Sequence, residues 1–211
     1  MGFDFVECDV QFTMDNHPVL LHDATVNRTS NGTGNISEMT LEQVRQLDFG
    51  SWKSEAYAGE LIPTFEEFIA LCVEIGLYPY IEIKSGVTTE QARTLVEIVG
   101  EADIPATWIS FDKNILTFIS QFSSVARVGL LTHLVTESNL KYLSQLSNSV
   151  NAYMDVNYYT LTSGQIRLCK QYEIPLEIWT VNSMKVIANI DPYITGVTSD
   201  YINAQEVFNG L

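Results

Sequence analysis

Cationic side chains are scarce in this chain: 11 Lys and Arg stand against 26 Asp and Glu, a formal net charge of −15. A surface that acidic repels nucleic acid and anionic membranes, which argues against a polyanionic polymer as partner. Cysteine is scarce as well. Cys8, Cys72 and Cys169 are odd in number, lack CxxC spacing and sit in apolar surroundings. That pattern argues against a disulfide framework or a zinc site and predicts buried free thiols in a reducing compartment. No run approaches the ~18 apolar residues of a membrane span, and Met1-Gly2-Phe3-Asp4 carries neither the basic region nor the apolar core of a signal peptide. A cytoplasmic location is therefore the expectation. Low-complexity segments, linkers and short internal repeats are missing too. With 211 residues and 46% hydrophobic content, the chain has enough apolar material for one sizeable core, and a single domain over residues 1–211 is expected.

What is present is acid where apolar residues belong. In the stretch Phe5 to Asp23, FVECDVQFTMDNHPVLLHD, alternation along a strand puts Phe3, Phe5, Glu7 and Asp9 on one face and Val6, Cys8 and Val10 on the other. Two carboxylates at i and i+2 on a half-buried strand repel each other and lose hydration, so they need a cation or a cluster of donors. An edge-strand salt bridge is the other reading. Glu82 repeats the anomaly, with Ile81 and Ile83 pointing one way and Tyr80, Glu82 and Lys84 the other.

The surrounding pattern fixes the fold class. Met14 to Pro18 is a turn cluster and Val19 to Leu21 a short strand delivering His22; Ala24 to Asn35 reads as an irregular loop. Thr40 caps a helix over Leu41 to Leu47 with Gln43 at the capping-box position, and Thr64 caps Phe65 to Ile75 with Glu67 three residues on. The loop from Asp48 to Pro63 is too long for a tight connection, so residues 15–63 read as a small excursion beside the active-site mouth. From Leu77 onward, β-rich runs (Tyr78 to Ile83, Thr107 to Ser110, Arg127 to Leu131, Ala152 to Val156, Leu176 to Val181, Thr195 to Thr198) alternate with helical ones. The helices are expected over Thr89 to Glu101, Lys113 to Gln121, Glu137 to Ser144, Ser163 to Tyr172, Ser183 to Ile190 and Asn203 to Leu211. With the first strand this gives an α/β, TIM-type (β/α)₈ barrel one βα unit short of eight. Strand ends converge in such a barrel, so Glu7, Asp9 and Glu82 can meet around one ion. Three carboxylates suit Mg²⁺ or Ca²⁺ better than zinc. A buried Glu82–Lys84 pair without metal is the alternative.

These residues carry a resemblance. Glu7-x-Asp9, the turn Asp15-Asn16-His17, Val19-Leu20-Leu21-His22-Asp23, Asn27-Arg28-Thr29-Ser30-Asn31-Gly32-Thr33-Gly34 and Asp48-Phe49-Gly50-Ser51-Trp52 come first. Gly59-Glu60-x-Ile62-Pro63-Thr64-Phe65-Glu66-Glu67, Ile81-Glu82-Ile83-Lys84, Trp179-Thr180-Val181-Asn182 and Gly196-x-Thr198-Ser199-Asp200-Tyr201 follow. In this order the set resembles the glycerophosphodiester phosphodiesterase family over nearly the whole chain. The resemblance implies metal-dependent hydrolysis of a small-molecule glycerophosphodiester substrate to glycerol phosphate and an alcohol through a cyclic phosphate. It implies Glu7, Asp9 and Glu82 as ligands and His22 as a general acid or base. Lys84 suits a non-bridging phosphate oxygen, and Trp179 offers a face to the glycerol or headgroup, although an aromatic there is core as often as binding wall. His17 and His133 read as structural or solvent-exposed. Family members open with a strand carrying His-Arg-Gly and a helix that have no counterpart here. The resemblance therefore implies an impaired fragment when these 211 residues stand alone. A non-catalytic binding domain and a phospholipase D-like lyase acting on lysolipids are the rival readings.

Overall fold

A computed structural model describes residues 5–122 and 127–200. Phe3 and the helix expected over Asn203 to Leu211 lie outside the described residues. The chain forms two compact units, one running from Glu7 to Ala106 and the other made of the residues up to Val6 and those from Thr107 onward.

The first unit is built on β1 (Phe5–Phe12) and β2 (Pro18–Leu20), an antiparallel pair in which Val10 faces Leu20 and Phe12 faces Pro18. The turn between them is held by side chains. Thr13 Oγ1 donates to Asp15 (2.7 Å) and accepts from the His17 backbone N–H (2.9 Å), while Asn16 takes a left-handed φ of 62°, a conformation that asparagine tolerates. Alternation along β1 buries Cys8, Val10 and Phe12 and leaves Glu7 and Asp9 on the opposite face. Next come α1 (Leu41–Val44), α2 (Phe65–Ile75), β3 (Tyr78–Ile83) and α3 (Thr89–Glu101). Both expected capping boxes are made, Thr40 with Gln43 and Thr64 with Glu67, and Gly76 ends α2 in the left-handed conformation. α1 stops at Val44, short of Leu47, because Gln46 and Leu47 donate to the carbonyls of Gln43 and Val44. Such three-residue bonds tighten the last turn.

The stretch read as a loop excursion has a core of its own. Val19, Leu21, Val26, Ile36, Val44 and Ile62 are buried against one another, and Met39, Leu41, Leu47 and Phe49 pack around them. Apolar contacts, helped by two 3₁₀ turns at Ile36–Glu38 and Glu55–Tyr57, therefore order a segment with only one turn of α-helix.

The second unit alternates strand and helix: β4 (Thr107–Ser110), α4 (Lys113–Ile119), β5 (Arg127–Thr132), α5 (Glu137–Leu146), β6 (Asn151–Asn157), α6 (Ser163–Tyr172), β7 (Leu176–Trp179), α7 (Met184–Ile187) and β8 (Ile194–Val197). β4 to β8 are parallel neighbours in sequence order, the layout that strand-helix alternation predicts. α5 runs past Ser144 because Leu140, Leu143 and Leu146 form its buried face. Among the described residues no helix is long and apolar enough to cross a membrane.

Arg127 of β5 and Glu177 of β7 form an ion pair, and the Arg127 guanidinium lies 4.2 Å from the Tyr153 ring centroid. Two glycines make the room: a Cβ on Gly129 would run into the Tyr153 ring, and one on Gly196 would lie 2.6 Å from the Glu177 carboxyl carbon. The Glu177 side chain is 10% exposed and that of Arg127 28%. Glu177→Ala is expected to cost about 3 kcal/mol in urea unfolding, the low end for breaking a buried pair because Arg127 keeps some water. A loss below about 0.5 kcal/mol would place the pair with exposed ones.

Candidate active site and metal centre

Glu7 and Asp9 project from one face of β1, and Glu82 from β3. A ligand oxygen from each lies within 4.8 Å of the other two. The Lys84 Nζ bridges two of them, 2.6 Å from Asp9 Oδ1 and 2.7 Å from Glu82 Oε1. The side chains of Lys84, Asp9 and Glu82 are 15%, 17% and 12% exposed, so this charge sits mostly away from water. Burial pushes the Glu82 carboxyl above the usual range, against the pull of Lys84. Burial also works against the Lys84 ammonium, but the hydrogen bonds to Asp9 and Glu82 outweigh it and hold its pKa above that of ordinary lysine. The donor set is all oxygen. Cys8, between the two acids in sequence, faces the core, and burial first and the neighbouring carboxylates second push its thiol well up. It stays protonated and is no metal ligand at neutral pH. Cys72 and Cys169 are likewise buried free thiols.

The β1–β2 pairing carries the next residues to this place. The Leu21 backbone N–H donates to the Asp9 carbonyl (3.0 Å), so the register of the hairpin delivers His22 beside the ligand-bearing strand. The His22 side chain is 65% exposed, and its Nδ1 lies 2.8 Å from Asp23 Oδ1. Asp23 also accepts from Arg28, 2.7 Å from Nε to Oδ2 and 3.1 Å from Nη2 to Oδ1. Hydrogen bonds from Arg28 first and His22 second hold the Asp23 carboxyl down to about 2. The bond to Asp23 raises Arg28 in turn, with a smaller contribution from the charge of Asp9.

Residues 1–204 match the sequence model of the Glycerophosphoryl diester phosphodiesterase family. The chain belongs to that family. A glycerophosphodiester phosphodiesterase of Caldanaerobacter subterraneus subsp. tengcongensis is 30% identical over 213 residues, covering 96% of this chain and 86% of that protein. One of Bacillus subtilis is 30% identical over 224 residues, covering 95% and 75%. Among solved structures, an Oleispira antarctica phosphodiesterase in complex with the product sn-glycerol-3-phosphate superposes with a TM-score of 0.88 at 26% identity, over 99% of this chain and 85% of that one. A glycerophosphodiester phosphodiesterase of Parabacteroides distasonis shares the fold with a TM-score of 0.76 at 23% identity, over 94% and 80%. The fold is α/β of the TIM type, and the chain is an enzyme of a family of phosphoric diester hydrolases.

Of the site residues expected from the sequence of this family member, Glu7, Asp9, His22, Glu82 and Lys84 belong to the first unit, where the three acids and Lys84 come together. Trp179 belongs to the second. There it packs at an angle against Phe111 (5.9 Å between centroids) and His133 (5.3 Å), which stack on each other at 5.6 Å. His17 is exposed in its turn and His133 is exposed beside these rings. The pairing of Arg28 with Asp23 was not expected from the sequence. Both residues stand in motifs that resemble the family's, but a charged residue in a polar loop ordinarily faces solvent, and nothing in its spacing announces a fork closing on a carboxylate five residues earlier.

Proposed function

We propose that the chain hydrolyses small glycerophosphodiesters to glycerol phosphate and an alcohol, with Glu7, Asp9 and Glu82 holding one Mg²⁺ or Ca²⁺. The observation that carries this reading is the convergence of three carboxylate oxygens within 4.8 Å in a chain of this family. Their chemistry fits a hard cation, since all donors are oxygen and the neighbouring thiol is kept protonated. A cation there would supply Lewis acidity to a phosphate oxygen. Lys84, fixed by Asp9 and Glu82, is the chain's own positive charge for a second phosphate oxygen, where negative charge builds as the nucleophile arrives. His22 moves the proton. As a base it takes one from the glycerol hydroxyl next to the diester; that oxygen attacks phosphorus, the P–O bond to the alcohol breaks, the departing oxygen takes a proton from solvent, and a cyclic phosphate results. Water then adds to phosphorus and loses a proton to solvent, the ring P–O bond breaks, and protonated His22 returns its proton to the glycerol oxygen. For Trp179 we propose a substrate-binding role, resting on the exposed aromatic surface it forms with Phe111 and His133, which suits a carbon skeleton.

Phosphorus NMR of the protein with glycerophosphocholine and, separately, a lysophospholipid tests the reading. Glycerol phosphate from the first substrate is the expected product, with a cyclic phosphate appearing before it. Cyclic phosphate accumulating only from the lipid would favour the lyase, and no turnover of either would favour a binding domain.

A further inference from the structure

The mechanism above uses His22 but leaves unexplained why an exposed imidazole should present one nitrogen, and not the other, to a substrate. An exposed histidine ordinarily samples both tautomers and several rotamers. Here three observations remove that freedom. The ring's Nδ1 is 2.8 Å from Asp23 Oδ1. Both oxygens of the same carboxylate are gripped by the Arg28 fork at 2.7 and 3.1 Å. The backbone on either side is pinned by the Leu21 N–H to the Asp9 carbonyl (3.0 Å) and the Val26 N–H to the Gly34 carbonyl (3.1 Å), with Leu21 and Val26 buried in the excursion's core.

We propose that Asp23 and Arg28 are positioning residues for His22: Arg28 fixes Asp23, Asp23 fixes the His22 ring with its proton on Nδ1, and Nε2 is thereby the nitrogen that exchanges protons with the substrate. The chemistry follows from what each group can do. A carboxylate held ionised by a bidentate guanidinium is acceptor-only, so the imidazole nitrogen facing it must donate. The proton then resides on Nδ1 in the neutral ring, and the lone pair resides on Nε2. When Nε2 takes a proton, the Asp23 carboxyl, held down to about 2, stays ionised beside the ring and does not itself take the proton.

The proposal rests on His22 acting as acid or base, so its test separates the two. Two-dimensional ¹⁵N NMR of histidine-labelled protein, with His17→Gln and His133→Gln for assignment, reads the tautomer without any need for turnover. His22 should be protonated on Nδ1 in the neutral ring. In Asp23→Ala it should shift towards the mixture of free histidine, in which the other tautomer predominates. In kinetics, Asp23→Ala should lower kcat roughly tenfold to a hundredfold with KM little changed, less than loss of the acid or base itself. Arg28→Met should follow it with a smaller loss, and the charge-conserving Arg28→Lys should recover only part, since a flexible ammonium lacks the rigid two-nitrogen fork that sets the orientation of the carboxylate. Added to His22→Ala, Asp23→Ala should change nothing further. A wild-type His22 carrying its proton on Nε2, or an Asp23→Ala penalty that multiplies fully with that of His22→Ala, overturns the positioning role. An unimpaired His22→Ala overturns the reading beneath it.

Discussion

His22→Ala is expected to lower turnover by roughly a hundredfold to ten-thousandfold, the span for losing a positioned acid or base. The expected size follows from where the residue sits. The Leu21 N–H bonded to the Asp9 carbonyl places His22 immediately after the hairpin register that carries two of the three acids. Its side chain is 65% exposed, so alanine forfeits little buried surface. Melting temperature and cation affinity should therefore match those of the unmodified protein, and the loss should appear in kcat. The comparison is a ratio of rates under identical conditions, so the absolute activity does not enter. A variant with full turnover would return His22 to the role of a surface histidine paired with Asp23.

The second large effect concerns the cation. In the unmodified protein a thermal melt should rise with added Mg²⁺ or Ca²⁺, because an ion that binds only the folded state stabilises it by about 2.7 kcal/mol at a hundred times its dissociation constant. Glu82→Gln removes a ligand charge at the least exposed of the Lys84-paired acids, and the rise should vanish. Lys84→Met works in the other direction. The ammonium lies 2.6 and 2.7 Å from oxygens that the cation would use, so it competes for them. Without it, the carboxylates lose their internal counter-charge. Stability in chelator should drop by roughly 3 kcal/mol, as for a largely buried pair that loses one partner. Cation binding measured by titration calorimetry should tighten, with a larger rise in melting temperature than in the unmodified protein. A melt of the unmodified protein that ignores both cations would remove the metal assignment. Unchanged affinity in Lys84→Met would show that the lysine and the cation do not share their oxygens.

Much of this architecture was legible locally. Phe65–Ile75, Thr89–Glu101 and Ser163–Tyr172 have the expected bounds, because each begins at a threonine that closes a capping box, and β3 and β4 have theirs because β-rich runs end in turn residues. The convergence of the three acids was legible for the opposite reason. Glu7, Asp9 and Glu82 stand in strands made mostly of apolar residues, and a broken pattern is itself a signal. Interactions that join distant residues through no shared period were not legible. Arg127 and Glu177 meet across fifty positions over a tyrosine, in space kept by two glycines. The core of the excursion draws its members from a hairpin, a loop, a single helical turn and Ile62, so none of its segments shows a face. The reach of Lys84 to Asp9 as well as Glu82 depends on how β1 lies beside β3, which alternation within one strand does not give.

The account stands or falls on whether the carboxylate cluster and the phosphodiester chemistry belong together. The most direct measurement titrates one sample with Mg²⁺ or Ca²⁺, following calorimetric occupancy and the initial rate of glycerol phosphate release from glycerophosphocholine in parallel. The two curves should superimpose, rise from a baseline near zero in chelator, and both be absent in Glu82→Gln. Release that continues undiminished in chelator, or an occupied site with no release at any cation concentration, would contradict the account.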